Sequence, residues 1–128
     1  MIAKHPIDKN RIRKVPKQFN WVDHRLVRDR HIERFSHCAA ALYLFLVTVG
    51  DANGLSYYGD KSIMTRLCMD QSMLQNARNN LIENGMIAWQ EPMYQVLSLD
   101  ISDTDKRSPM GQARSLGSIL KKAMEETA

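Results

Sequence analysis

The stretch DQSMLQNARNNLIENGMIAW, residues 70–89, decides how the rest of the chain is read. Asp70 is a residue type that caps helix N-termini and Gly85 one that stops helices, so the residues between them are predicted to form a single helix. Leu74, Ala77 and Leu81 recur at helical spacing and define its buried face. At about 100° per residue, Ser72, Asn76 and Asn79 point almost directly away from Leu74, and Gln75 and Asn80 flank that exposed ridge. Arg78 falls near the buried side with Ile82; its stem is expected to lie on the core and its head to reach an acid or, at the seam, a phosphate. The stretch holds four asparagines, which cost more in helix propensity than Glu or Lys would. That cost points to a task for the amides beyond solubility.

Working outward from this helix gives a simple order of elements. Upstream, GDKSIMTRLCM (59–69) is predicted to be a helix with Ile63, Met64 and Leu67 on one face, preceded by a DANG turn and a short strand in GLSYY (54–58). Before these, Ser36 is a fitting N-cap for a helix whose apolar residues surround its axis on nearly every side up to Gly50, which predicts the buried centre of the domain. VDHRLVRDRHIERF (22–35) allows a short helix, and HPIDKNRIRKVPKQFNWV (5–22), with two prolines and no sustained period, reads as an extended arm with a short strand at Phe19 to Val22. Downstream, MIAWQ and MYQVLSL alternate around Glu91-Pro92 as two strands of a hairpin. The expected organisation is a basic arm over 1–34, a folded domain over 35–100, a polar linker over 101–112 and an amphipathic helix over 113–126, whose Leu116, Ile119, Leu120, Ala123 and Met124 share one face.

Composition narrows the class of protein. With 128 residues and 44% hydrophobic content the chain is long enough for one core. Cys38 and Cys68 lie in helical runs, which predicts thiols in a reducing, cytoplasmic setting and no disulfide scaffold. The longest apolar run, CAAALYLFLVTV at 38–49, falls short of the roughly 20 residues of a membrane helix, so no membrane association is expected. The net charge of +4 hides an asymmetry: Lys and Arg outnumber Asp and Glu by ten to four in residues 1–34, while 35–100 carry three against six. Arg11, Arg13, Lys14 and Lys17, with Arg25, Arg28, Arg30 and Arg34 behind them, suit a polyanion engaged through its phosphates. Local pairing with Asp23, Asp29 and Glu33 would make the same residues a solvated face instead.

The order helix, strand, helix, helix, hairpin, with NGLSYYGDKSIMTRLCMDQSMLQNARNNLIENGMI at its centre, resembles the winged helix-turn-helix family over about residues 36–99. More narrowly it is similar to the domains of replication initiators and small regulators of plasmids, phages and transposable elements. The resemblance implies a mainly α fold with a small β-hairpin wing (α+β), a tight turn at Leu67-Cys68-Met69-Asp70, and double-stranded DNA as partner, read in the major groove by the 71–83 helix. Cys68 stands where the family often has Gly, and the wing tip carries Glu91 in place of a basic residue. Asn and Gln bond adenine bidentately and Ser bonds several base edges, so Ser72, Gln75, Asn76, Asn79 and Asn80 are the expected readers. Gln71, Arg78, Lys61 and Arg66, with Arg11, Arg13, Lys14 and Lys17 of the arm, complete the expected DNA-binding set. The role implied is regulation or initiation on a mobile element. Two readings stand beside it: a winged domain used as a protein adaptor, favoured by the acidic core segment and wing tip, and RNA binding through the arm alone. The C-terminal helix is expected to meet a protein partner or a second copy, or else to dock on its own domain.

Other signals are weaker. The spacings of His24, His31, His37 and Cys38 match no zinc pattern, adjacent His37 and Cys38 point in different directions on a helix, and Cys68 has no histidine near it in sequence. Tyr57-Tyr58 lacks the paired metal histidines of a DNA-cleaving tyrosine, and one of the two is expected to pack inward. No phosphate-binding glycine loop is present, so no catalysis, metal or cofactor is expected.

Overall fold

The computed structural model describes residues 3–100, in which four helices and a three-stranded antiparallel sheet make an α+β unit. In chain order these are α1 (Arg25–Arg28), α2 (His37–Val49), β1 (Leu55–Tyr57), α3 (Asp60–Leu67), α4 (Gln71–Glu83), β2 (Ile87–Gln90) and β3 (Met93–Val96). Single 3-10 turns lie at Lys9–Arg11 and His31–Arg34. The linker expected over 101–112 and the helix expected over 113–126 lie outside the described residues.

Helix α2 starts where Ser36 accepts the Ala39 amide at 3.0 Å, satisfying one of the free donors of the first turn. Its Ala39, Leu42 and Leu46 are fully buried against Ile63 of α3, Leu74, Ala77 and Leu81 of α4, and Tyr94 of β3. Each large side chain withdrawn this way contributes roughly 1.5–3 kcal/mol. The helix is not enclosed on all sides, however. Leu44 is 60% exposed and Thr48 is exposed, because α4 and β3 pack on one side of α2 only.

Two turns orient α4. At the end of α3, Cys68 adopts a left-handed backbone (φ 55°), which lets the Met69 amide reach back to the Met64 carbonyl at 3.0 Å. At the end of α4, Gly85 (φ 71°) does the same: the Gly85 amide bonds Ile82 at 3.0 Å and the Met86 amide bonds Leu81 at 2.9 Å. The chain is thereby turned into β2, with Met86 and Ile87 buried beside Leu81. In the DANG turn, Asp51 Oδ1 accepts the Asn53 and Leu55 amides, and Gly54 sits so close to β3 that a Cβ would stand 2.7 Å from the Val96 carbonyl oxygen. The sheet order is β1-β3-β2, with Ser56 opposite Tyr94 and Trp89 opposite Tyr94 on the other side.

The N-terminal segment departs from expectation at one place. No strand forms at Phe19 to Val22. Instead the Asn20 side-chain amide donates to the carbonyls of Thr48 (3.1 Å) and Gly50 (2.8 Å), satisfying carbonyls left free at the end of α2 and tying the arm there rather than to a sheet edge. Over 22–35 the short helix forms as four-residue α1, and Arg30, with left-handed backbone (φ 65°), separates it from the 3-10 turn. Every residue from 3 to 22 is exposed.

Candidate nucleic-acid interface

Helix α4 is held by its inward side. Asp70 caps it, accepting the Met73 amide at 2.8 Å, and Leu74, Ala77 and Leu81 are wholly buried. The opposite side is bare: Gln71, Ser72, Gln75, Asn76 and Asn79 are exposed and their side chains make no hydrogen bonds among the described residues. An amide in that state keeps its full donor and acceptor capacity for another molecule. Lys61 and Arg66 of α3 are exposed as well and enter no ion pair among the described residues.

Arg78 does not belong to this surface. It is 5% exposed; its Nη1 donates to Asp60 Oδ1 at 2.9 Å and to the Tyr94 hydroxyl at 2.8 Å, and its guanidinium lies 3.8 Å from the centre of the Trp89 ring. Burial works against the charge, but Asp60 and Tyr94 more than compensate and the guanidinium is held above its ordinary pKa. Burial also raises the Tyr94 phenol. One side chain thus joins the start of α3, the middle of α4 and both strands of the hairpin. The wheel placed Arg78 inward and an acid within its reach; Asp60, Trp89 and Tyr94 are too distant in sequence to be named as its partners from helical spacing.

Asn80 also leaves the exposed ridge. Its Nδ2 donates to the Arg34 carbonyl at 3.3 Å, its Oδ1 is buried without a partner among the described residues, and Asn84 Nδ2 donates to the Asn80 carbonyl at 2.9 Å. Two of the four asparagines therefore tie α4 to the segment before α2, and the cost in helix propensity at those two has a local explanation. Asn76 and Asn79 have none. Asn76 and Met73 border a shallow depression beside Phe35 to Cys38 at the start of α2.

The basic residues divide as well. Arg11, Arg13, Lys14 and Lys17 are exposed and unpaired among the described residues. Arg25 is fully engaged, with Asp23 at 2.7 Å and Asp100 at 2.5 Å. Hydrogen bonds from Arg25 hold the Asp23 carboxyl down at about 2 and lower that of Asp100. Arg28 and Arg30 meet Asp29 and Glu33 at 3.6 and 3.9 Å, pairs of little energetic weight at such exposure. Apart from Arg34, Lys61 and Arg66, the free cations among the described residues lie in the segment ahead of Asn20. That segment leaves the domain at the far end of α2 from Asn76, about 20 Å away for thirteen helical residues. The nineteen residues ahead of Asn20 would span up to about 60 Å if extended, more than enough to cover the distance.

Among the described residues no three His, Cys, Asp or Glu side chains come together as a metal site, and no helix is long and apolar enough to cross a membrane. No family model, curated protein or solved structure matches the chain.

Proposed function

We propose that the protein is a winged helix-turn-helix DNA-binding protein, acting in the cytoplasm on the nucleoid as a regulator or initiator factor of a mobile element. Helix α4 enters the major groove, the β2–β3 hairpin is the wing, and the arm follows phosphates or enters a neighbouring minor groove. The observation that carries the reading is the row of exposed, unpartnered side chains Ser72, Gln75, Asn76 and Asn79 on a helix fixed from behind. Neutral amides on a rigid backbone distinguish base edges, whereas free cations on an irregular segment do not.

A second reading, a protein adaptor, is favoured by Glu91 at the exposed tip of the hairpin, where a basic residue would meet phosphate. Duplex binding measured against salt separates the two. Tight binding whose logarithm falls linearly with the logarithm of salt, with one motif enriched from a random duplex pool, supports the DNA reading. Weak binding without an enriched motif supports the adaptor.

A further inference from the structure

Beside the root of the arm, between the DANG turn and the end of β3, lies a cavity of about 290 Å³ that the proposed DNA contacts do not use. Its apolar wall includes Trp21, Tyr43, Val47, Val96 and Leu99. Trp21 is 70% exposed. An indole left this open is a cost that an occupant would relieve by covering it. The rim is acidic: Asp23, Asp51 and Asp100 stand against the single cation Arg25.

We infer that the occupant is the chain's own segment 116–124. Leu97 and Leu99 run along the cavity wall, and the described chain ends at Asp100 on its rim, pinned there by Arg25. The continuation therefore starts at the mouth of the cavity. Its sequence supplies what the cavity takes, an apolar face of Leu116, Ile119, Leu120, Ala123 and Met124 flanked by Lys121 for the acidic rim. A volume of this size accepts a few of these side chains, not the whole segment. Fifteen residues separate Asp100 from Leu116; a random coil of that length would span roughly 20 Å, short enough for an effective concentration of order millimolar at the cavity. A second copy in dilute solution competes poorly with that. Docking also covers Asn20 and Trp21, so it braces the point from which the basic arm leaves the domain. None of this depends on what the arm or α4 binds.

The test uses the full chain with a nitroxide on Ser118→Cys, the natural thiols being removed as Cys38→Ala and Cys68→Gly. The Trp21 indole and the side-chain amides of Asn53 and Gln95 should lose NMR intensity independently of protein concentration, and Leu120→Asp should restore it. Full intensity in the labelled chain overturns the inference, as does broadening that Leu120→Asp leaves intact. Broadening transferred to isotope-labelled chains mixed with spin-labelled ones would assign the cavity to a second copy instead. Hydrogen exchange needs no cysteine replacement: in the otherwise natural chain, Leu120→Asp should speed exchange of the Leu97 and Leu99 amides, and unchanged rates contradict docking.

Discussion

The arm ahead of Asn20 and helix α4 both offer polar side chains to solvent, by opposite means. The arm carries free cations on a backbone with a single 3-10 turn, tied to the domain at Asn20. Helix α4 carries neutral amides on a backbone capped at Asp70, stopped at Gly85 and packed along one whole side. A charge acts over about a Debye length and needs little geometric precision. An amide discriminates only if its position is fixed to a fraction of an ångström, because both of its hydrogen bonds must form together. If the protein binds DNA as proposed, the contrast gives affinity to the arm and preference to α4.

The change expected to disturb this contrast most is removal of residues 1–18, which takes away six cations. If all six meet phosphates, the salt slope of duplex binding falls by about 5, so that the roughly thousandfold loss of affinity those contacts give between about 50 and 200 mM salt disappears, and binding weakens for every sequence alike. A slope that survives the deletion would break the division of labour from the arm's side. Next in size is Arg78→Met. It leaves Asp60 and the Tyr94 hydroxyl without their donor, and because Asp60 keeps some contact with water the loss should be about 3 kcal/mol, at the lower end for a broken buried pair. Urea unfolding measures it, and a change below 1 kcal/mol would mean that Arg78 is not what ties the hairpin to α4.

A smaller effect of opposite sign is expected at the α3–α4 turn. Cys68 has left-handed backbone at a position that glycine adopts freely. Relief of that conformation, less the greater freedom of glycine in the unfolded chain, should make Cys68→Gly more stable by roughly 0.5–1 kcal/mol. A destabilised variant would show that the thiol has a packing role. Smallest of all is the acid response at the arm's root. The Asp23 carboxyl is lowered from 3.8 to about 2 by Arg25, so its tie is complete above the ordinary aspartate range and is lost as pH falls through about 2. Carboxyl chemical shifts should place the Asp23 midpoint near 2, and a midpoint near 4 would mean that Arg25 is not held there.

The elements of residues 36–99 were legible because each signal was local: Ser36 and Asp70 cap within three residues, Gly85 needs only its own φ, and the Leu74, Ala77, Leu81 stripe needs only helical periodicity. What escaped the sequence was long-range. Arg78 and Asp60 are 18 residues apart, Asn80 and Arg34 are 46 apart, and Asn20 and Gly50 are 30 apart. No periodicity reports such pairings, so Asn80 looked like a reader and Phe19 to Val22 like a strand. Leu44 misled for a related reason: hydrophobicity on every side of α2 marks a core only where every side meets a neighbour.

The claim that α4 sets preference is tested most directly by the binding profile of Asn76→Ala/Asn79→Ala over all short duplex sequences. Each replacement should remove roughly 1–3 kcal/mol of discrimination at one or two adjacent base pairs, most of them adenines. Non-specific affinity should stay nearly constant, Gln75→Ala should have an intermediate effect and Glu83→Ala little. The fold should be untouched, since both asparagines are exposed and make no hydrogen bond among the described residues. A profile flattened at those positions, with the salt slope of the unaltered protein, is the predicted result. A profile that keeps its full shape in the folded double variant would contradict it and leave these amides facing only water.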